Sequence, residues 1–163
     1  MIEPVTDNVF DITPPSENRP DAIIDSPSAQ IRTRFTNERK EWRDRLMSMA
    51  AMLKQPHKLV DLQVDLHNER QRAVEYKSEL LDILLVGSTK QKRSHSSTIE
   101  RLKAQGYKPM EIKSMIEGEF AMENERQELF RHHIDYLQAT IANIDHMLYG
   151  LKYRVQFEEY RRD

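Results

Sequence analysis

Chemistry in this chain would have to come from a short list of residues. There is no cysteine, so a thiolate nucleophile, a thiolate metal site and a disulfide are all excluded. His132 and His133 are adjacent, and at 3.6 residues per turn consecutive side chains point about 100° apart. The two rings cannot share one ligand. No Glu-x-x-His step accompanies them to build a carboxylate-bridged metal pair, and they are read as surface or seam-flanking histidines. Gly87-Ser88-Thr89-Lys90 follows an apolar run as a phosphate loop would, but lacks the Gly-x-x-x-x-Gly-Lys spacing. No Ser/His/Asp grouping stands above chance. The expectation is a non-enzymatic protein with no catalytic residue, no metal and no cofactor.

Cations are the more informative group. Residues 88–110 hold Lys90, Lys92, Arg93, Arg101, Lys103 and Lys108 against Glu100, a net of +5, with His95 and Tyr107 among them. Such a run is most often a solvated face. A flexible basic segment with hydroxyls also suits a phosphate backbone, and an aromatic ring stacks on an unpaired base. Lys90, Lys92, Arg93, Lys103, Tyr107 and Lys108 are therefore the candidate contacts to single-stranded DNA. A rival reading takes Ile99 to Ile116 as a helix–turn–helix that enters the major groove of a duplex. Its second helix is acidic, and a third packed helix would be required.

The elements that must position these residues are helices. Ile31, Phe35, Trp42, Leu46, Met49 and Leu53 form one stripe and predict a first helix from Ser28 to about Gln55. Pro56 stops or restarts it. A second stripe, Leu59, Leu62, Leu66, Ala73, Tyr76, Leu80 and Ile83, predicts a second helix that ends at Gly87. Residues 88–97 are polar and basic and are expected to form a loop. Thr98–Gln105 reads as a short helix closed by Gly106, and Pro109 opens the last helix.

The most regular pattern is Phe130, Ile134, Leu137, Ile141, Ile144, Leu148, Leu151, Val155, with steps of 4 and 3 in strict alternation. That period keeps one apolar stripe toward a partner as helices supercoil. Eight such side chains represent roughly 12–24 kcal/mol of gross burial, so something must cover them. The alternatives are an internal face against the first two helices and a coiled-coil seam between protomers. The second is the expectation, which makes these eight residues the oligomerisation set. Isoleucine at both seam positions argues against a strict parallel dimer.

The composition agrees with long solvated helices: apolar residues make up 38%, charged residues 32%, and glycine only four positions. Five of the seven prolines lie in residues 1–27, together with six acids against Arg19, a net of −5. That segment is expected to be a disordered acidic tail. A solvated leader, a mimic of nucleic acid lying on the protein's own basic surface and a docking tail for a basic partner all fit it. The expected organisation is a tail over 1–27, a helical region with its basic loop over 28–110, and an oligomerisation helix over 111–163, all-α throughout. No stretch approaches a membrane span, and Met1-Ile2-Glu3-Pro4 lacks the regions of a signal peptide. A soluble intracellular protein is expected.

From Glu111-Ile112-Lys113-Ser114 to Glu159 the chain resembles the UvsY-type recombination mediators of T-even-like bacteriophages. Ile134-Asp135-Tyr136, Ile141, Ile144, Tyr149-Gly150-Leu151-Lys152 and Gln156-Phe157-Glu158-Glu159-Tyr160 carry the resemblance. It implies a small, non-catalytic, ring-forming helical homo-oligomer in the cytoplasm of the infected bacterial host. Such a protein would bind single-stranded DNA and help load a RecA-like recombinase against single-strand-binding protein, in DNA recombination, repair and replication. It also implies oligomerisation through the C-terminal helix. The acidic tail and the spacing of residues 88–97 depart from the family pattern, so the DNA-contact residues above rest on local charge alone. The structural rival is a coiled-coil scaffold or assembly chaperone.

Overall fold

The computed structural model describes residues 26–161. Residues 1–25 of the expected tail over 1–27 lie outside the described residues. Among those described there are three long helices and no strand: α1 (Pro27–Met52), α2 (Leu59–Ala104) and α3 (Pro109–Tyr160), with a single 3-10 turn (Pro56–Lys58) between the first two. No helix is long and apolar enough to cross a membrane among the described residues.

Each boundary has a local cause. The Ser26 hydroxyl accepts from the Ala29 amide at 3.1 Å and Pro27 occupies the first helical position. Ser26 and Pro27 therefore belong to α1 rather than to the tail. Gly106 at φ 86° ends α2, with the Tyr107 amide bonded to the Leu102 carbonyl and the Gly106 amide to the Lys103 carbonyl. This crossed pair is the Schellman arrangement that glycine permits. Pro109 then starts α3, and the Glu111 carboxylate accepts from the Lys108 amide at 2.8 Å.

One expectation is corrected. Gly87 does not end α2, and residues 88–97 are helical rather than a loop. A glycine in a helix interior costs about 1 kcal/mol, less than a tertiary partner returns. The Ser88 and Thr89 hydroxyls bond back to the Leu85 carbonyl, and Ser96 to that of Lys92, so these polar residues stay within helical geometry. Gln91 reaches across to Asn124 and Gln127 of α3. Thr98–Ala104 is thus the last stretch of one 46-residue helix, with Gln105 as its cap.

At about 1.5 Å per residue, α1 is roughly half as long as α2 or α3. One core joins Phe35 and Trp42 of α1 and Ala73 and Leu80 of α2 to Phe130, Ile134, Leu137 and Ile141 of α3. A second joins Leu46, Leu59, Leu62 and Leu66 to Ile144 and Leu151, with Leu148 and Val155 half-buried against it. The eight-residue stripe is therefore occupied within one chain, and the need for a second chain to cover it falls away. Residues 28–110 and 111–163, separate in the sequence reading, share these cores. Beyond α1, α2 and α3 continue as an antiparallel two-helix arm, held by Leu102, Ile112 and Ile116 with Ile99 and Phe120 beside them.

Candidate nucleic-acid interface

The arm carries most of the expected DNA contacts. Lys90, Lys92, Arg93, Lys103, Tyr107 and Lys108 are all exposed. Among the described residues none of the five cations in that set has a carboxylate within 4.0 Å. They do not form one patch. At about 100° per residue Lys92 and Lys103, eleven apart, nearly coincide, Arg93 lies roughly 80–100° from them and Lys90 about 60° further, so the four spread over an arc of about 160° of α2. Tyr107 and Lys108 sit in the turn at the tip. Arg101, the remaining cation, lies 3.7 Å from Glu119 of α3. The antiparallel pairing thus brings the acidic first half of α3 beside the basic second half of α2.

The cations of α1 are mostly engaged elsewhere. Arg32 pairs with Glu125 at 2.9 Å, Arg34 with Glu38 at 2.8 Å and Arg45 with Glu69 at 3.4 Å. Residues 99–116, the rival helix–turn–helix reading, form the tip of the arm, and their core draws only on α2 and α3.

A polar cluster at the junction of the three helices was not anticipated. His133 is 0% exposed and stacks on Phe35 with centroids 4.1 Å apart, so it flanks the apolar stripe and is not a surface residue. Its Nε2 lies 3.0 Å from the Glu38 carboxylate, and Arg39 Nε donates to its Nδ1 at 3.3 Å. Glu38 also accepts from Tyr76 Oη at 2.6 Å. Burial pushes the His133 imidazole below its ordinary range, partly opposed by the Glu38 charge. Burial alone would raise Glu38, but hydrogen bonds from Tyr76 and Arg34 outweigh it and hold the carboxyl low. Tyr76 is pushed up to about 12, by burial first and then by its bond to Glu38.

A sequence signal for His133 exists. His133 and Thr140 are buried too and, at steps of 3 and 4 from Phe130, Leu137 and Ile144, widen the expected seam on one side. A stripe this wide fits a helix that meets two neighbours at once, whereas a two-stranded seam is narrower. The cluster ties α1 to α2 and α3. Among the described residues no three His, Asp or Glu side chains are placed to hold a metal ion.

Large side chains also remain outside the cores. Tyr149, Tyr153, Phe157 and Tyr160 are exposed at steps of 4, 4 and 3 along the end of α3, and the first two hydroxyls meet at 2.6 Å. Comparison with protein-family models, curated proteins and solved structures finds no match for this chain.

Proposed function

We propose that this protein is a non-enzymatic binder of single-stranded DNA that works as an oligomer through its projecting arm. The observation that supports this reading is the set of five exposed cations with no carboxylate partner among the described residues, spread over a broad arc of α2 and its tip. A flexible single strand can follow cations set over so wide an arc. Tyr107 at the tip offers a ring for base stacking. Self-association is assigned to the exposed aromatic row of α3, Tyr149 to Tyr160, since the apolar stripe is occupied within the chain. Gathering several arms multiplies weak contacts into avidity. The fuller role, loading a RecA-like recombinase against single-strand-binding protein, rests on the resemblance of the last third of the chain.

Changing Lys90, Lys92 and Arg93 to Ala tests the assignment by anisotropy of a labelled unpaired oligonucleotide across a salt titration. Each lost phosphate contact removes about 0.7 from the slope of log K against log salt, so the slope should fall by about 2. An unchanged slope with unchanged affinity overturns the arm assignment. No binding by the parent protein at moderate salt favours the scaffold reading, for which the exposed aromatic row is the supporting observation.

A further inference from the structure

The two main cores take one side of α2, with Leu62, Leu66, Ala73 and Leu80 turned toward α1 and α3. About 130° around the helix, at roughly 100° per residue, runs a second row that stays open among the described residues. Val60, Val64, Val74, Leu81 and Leu85 lie on it, between 37% and 69% exposed. His67, Gln71 and Ser78 fill the places between them and are exposed too. From Val60 to Leu85 the steps are 4, 3, 4, 3, 4, 3, 4 without a break. This is the period of the α3 stripe, sustained for about 38 Å, and a partner that follows it must be another long helix. The next two positions are Ser88 and Lys92, where the apolar row stops.

The flanks of the row identify the partner. Arg70 and Lys77 stand on one side of it, immediately before Gln71 and Ser78. Glu75 and Asp82 stand on the other, immediately after Val74 and Leu81. In a parallel pair of helices each flank meets the opposite flank of the partner, five residues further along. Arg70 then meets Glu75 of a second copy, and Lys77 meets its Asp82. In an antiparallel pair like flanks face each other, and both contacts would be repulsive. Among the described residues Glu75 and Asp82 have no cation within 4.0 Å, and Lys77 has no carboxylate. Arg70 reaches Asp145 through Nε and Nη2, which leaves Nη1 for a second carboxylate. The polar places in the row agree with the parallel arrangement. In register it sets Gln71 beside Gln71 and Ser78 beside Ser78, and an amide or a hydroxyl both donates and accepts. Full antiparallel overlap would set Gln71 against Val74.

We infer that the outer face of α2 from Val60 to Leu85 is a parallel, in-register interface with the same face of a second copy of this chain. It is a different surface from the aromatic row at the end of α3, and it does not depend on what the arm binds. Parallel pairing turns the two arms the same way, side by side.

With no native cysteine, single cysteines in the full chain report the register without background. Val64→Cys and Leu85→Cys, three heptads apart on the row, should each form a disulfide with its own counterpart. Under mild oxidation both should cross-link at least tenfold faster than Glu79→Cys, which is exposed but lines the cleft beside α1 instead. Glu75→Lys with Asp82→Lys, and separately Arg70→Glu with Lys77→Glu, should each slow closure of Val64→Cys at least fivefold, since like charges then meet. Mixing these two variants should restore the rate of Val64→Cys alone, because a mixed pair has opposite charges on both flanks. Rates no faster than for Glu79→Cys would overturn the interface. Closure of Val64→Cys only when mixed with Leu81→Cys would overturn the parallel arrangement in favour of the antiparallel one. No recovery on mixing would overturn the charge pairing on which the choice of a second copy rests.

Discussion

Leu137→Ala tests whether the long apolar stripe of α3 is an internal core. Leu137 is 0% exposed and belongs to the cluster with Phe35, Trp42, Ala73 and Leu80. Truncation removes three carbons, about 2.4 kcal/mol at roughly 0.8 kcal/mol per buried group. The walls of this site are long helices that cannot collapse freely, so a cavity penalty adds to that figure. A total of about 3–5 kcal/mol is expected, in line with fully buried leucines elsewhere. At about 3 °C per kcal/mol for a domain of this size, the midpoint of thermal unfolding should fall by roughly 10–15 °C. Met47→Ala, at a position 66% exposed, should change stability by less than about 0.5 kcal/mol. Urea unfolding followed by circular dichroism, at two protein concentrations a hundredfold apart, separates the two uses of the stripe. An internal core predicts the same Leu137→Ala loss at both concentrations. Folding that required a second chain across the stripe would shift apparent stability by about 2.7 kcal/mol between them. A variant of unaltered stability but reduced assembly mass would refute the internal reading.

Three further outcomes follow from the polar cluster and the tip. The His133 imidazole is held below its ordinary value in the folded state, so the unfolded chain takes up the proton first as pH falls through about 6.5. Stability should be full above that pH and drop by up to about 1.4 kcal/mol per unit below it, until the folded pKa is passed. His133→Leu should flatten this slope in denaturation measured between pH 7 and 5, and an unchanged slope would remove His133 as its source. Gly106→Ala forces an L side chain to φ 86° with no neighbour within 4 Å, so it should cost about 1 kcal/mol from backbone strain alone. Tyr136 Oη donates to the Arg39 carbonyl at 2.8 Å, and Tyr136→Phe should cost about 0.5–1.5 kcal/mol in the same unfolding assay.

The sequence by itself determined the helical class, the three apolar stripes, the turn at Gly106 and the start of α3 at Pro109. Each of these is a local matter of period, backbone freedom or a missing amide, and needs no distant partner to be read. It could not determine how far α2 runs. Gly87 and the polar residues after it weaken a helix locally, and only the pairing of Gln91 and Leu102 with α3 decides that the helix continues. The same holds for what covers Phe130 to Val155. A 3-4 period states that a face must be buried, but burial against α1 and α2 or against another chain stabilises it alike. The choice was made by α1, which brings Phe35, Trp42 and Leu46 onto the stripe. The Glu38–His133–Tyr76 cluster depends on the same docking, because its members are 38 residues or more apart in the chain and meet only when three helices close on one another.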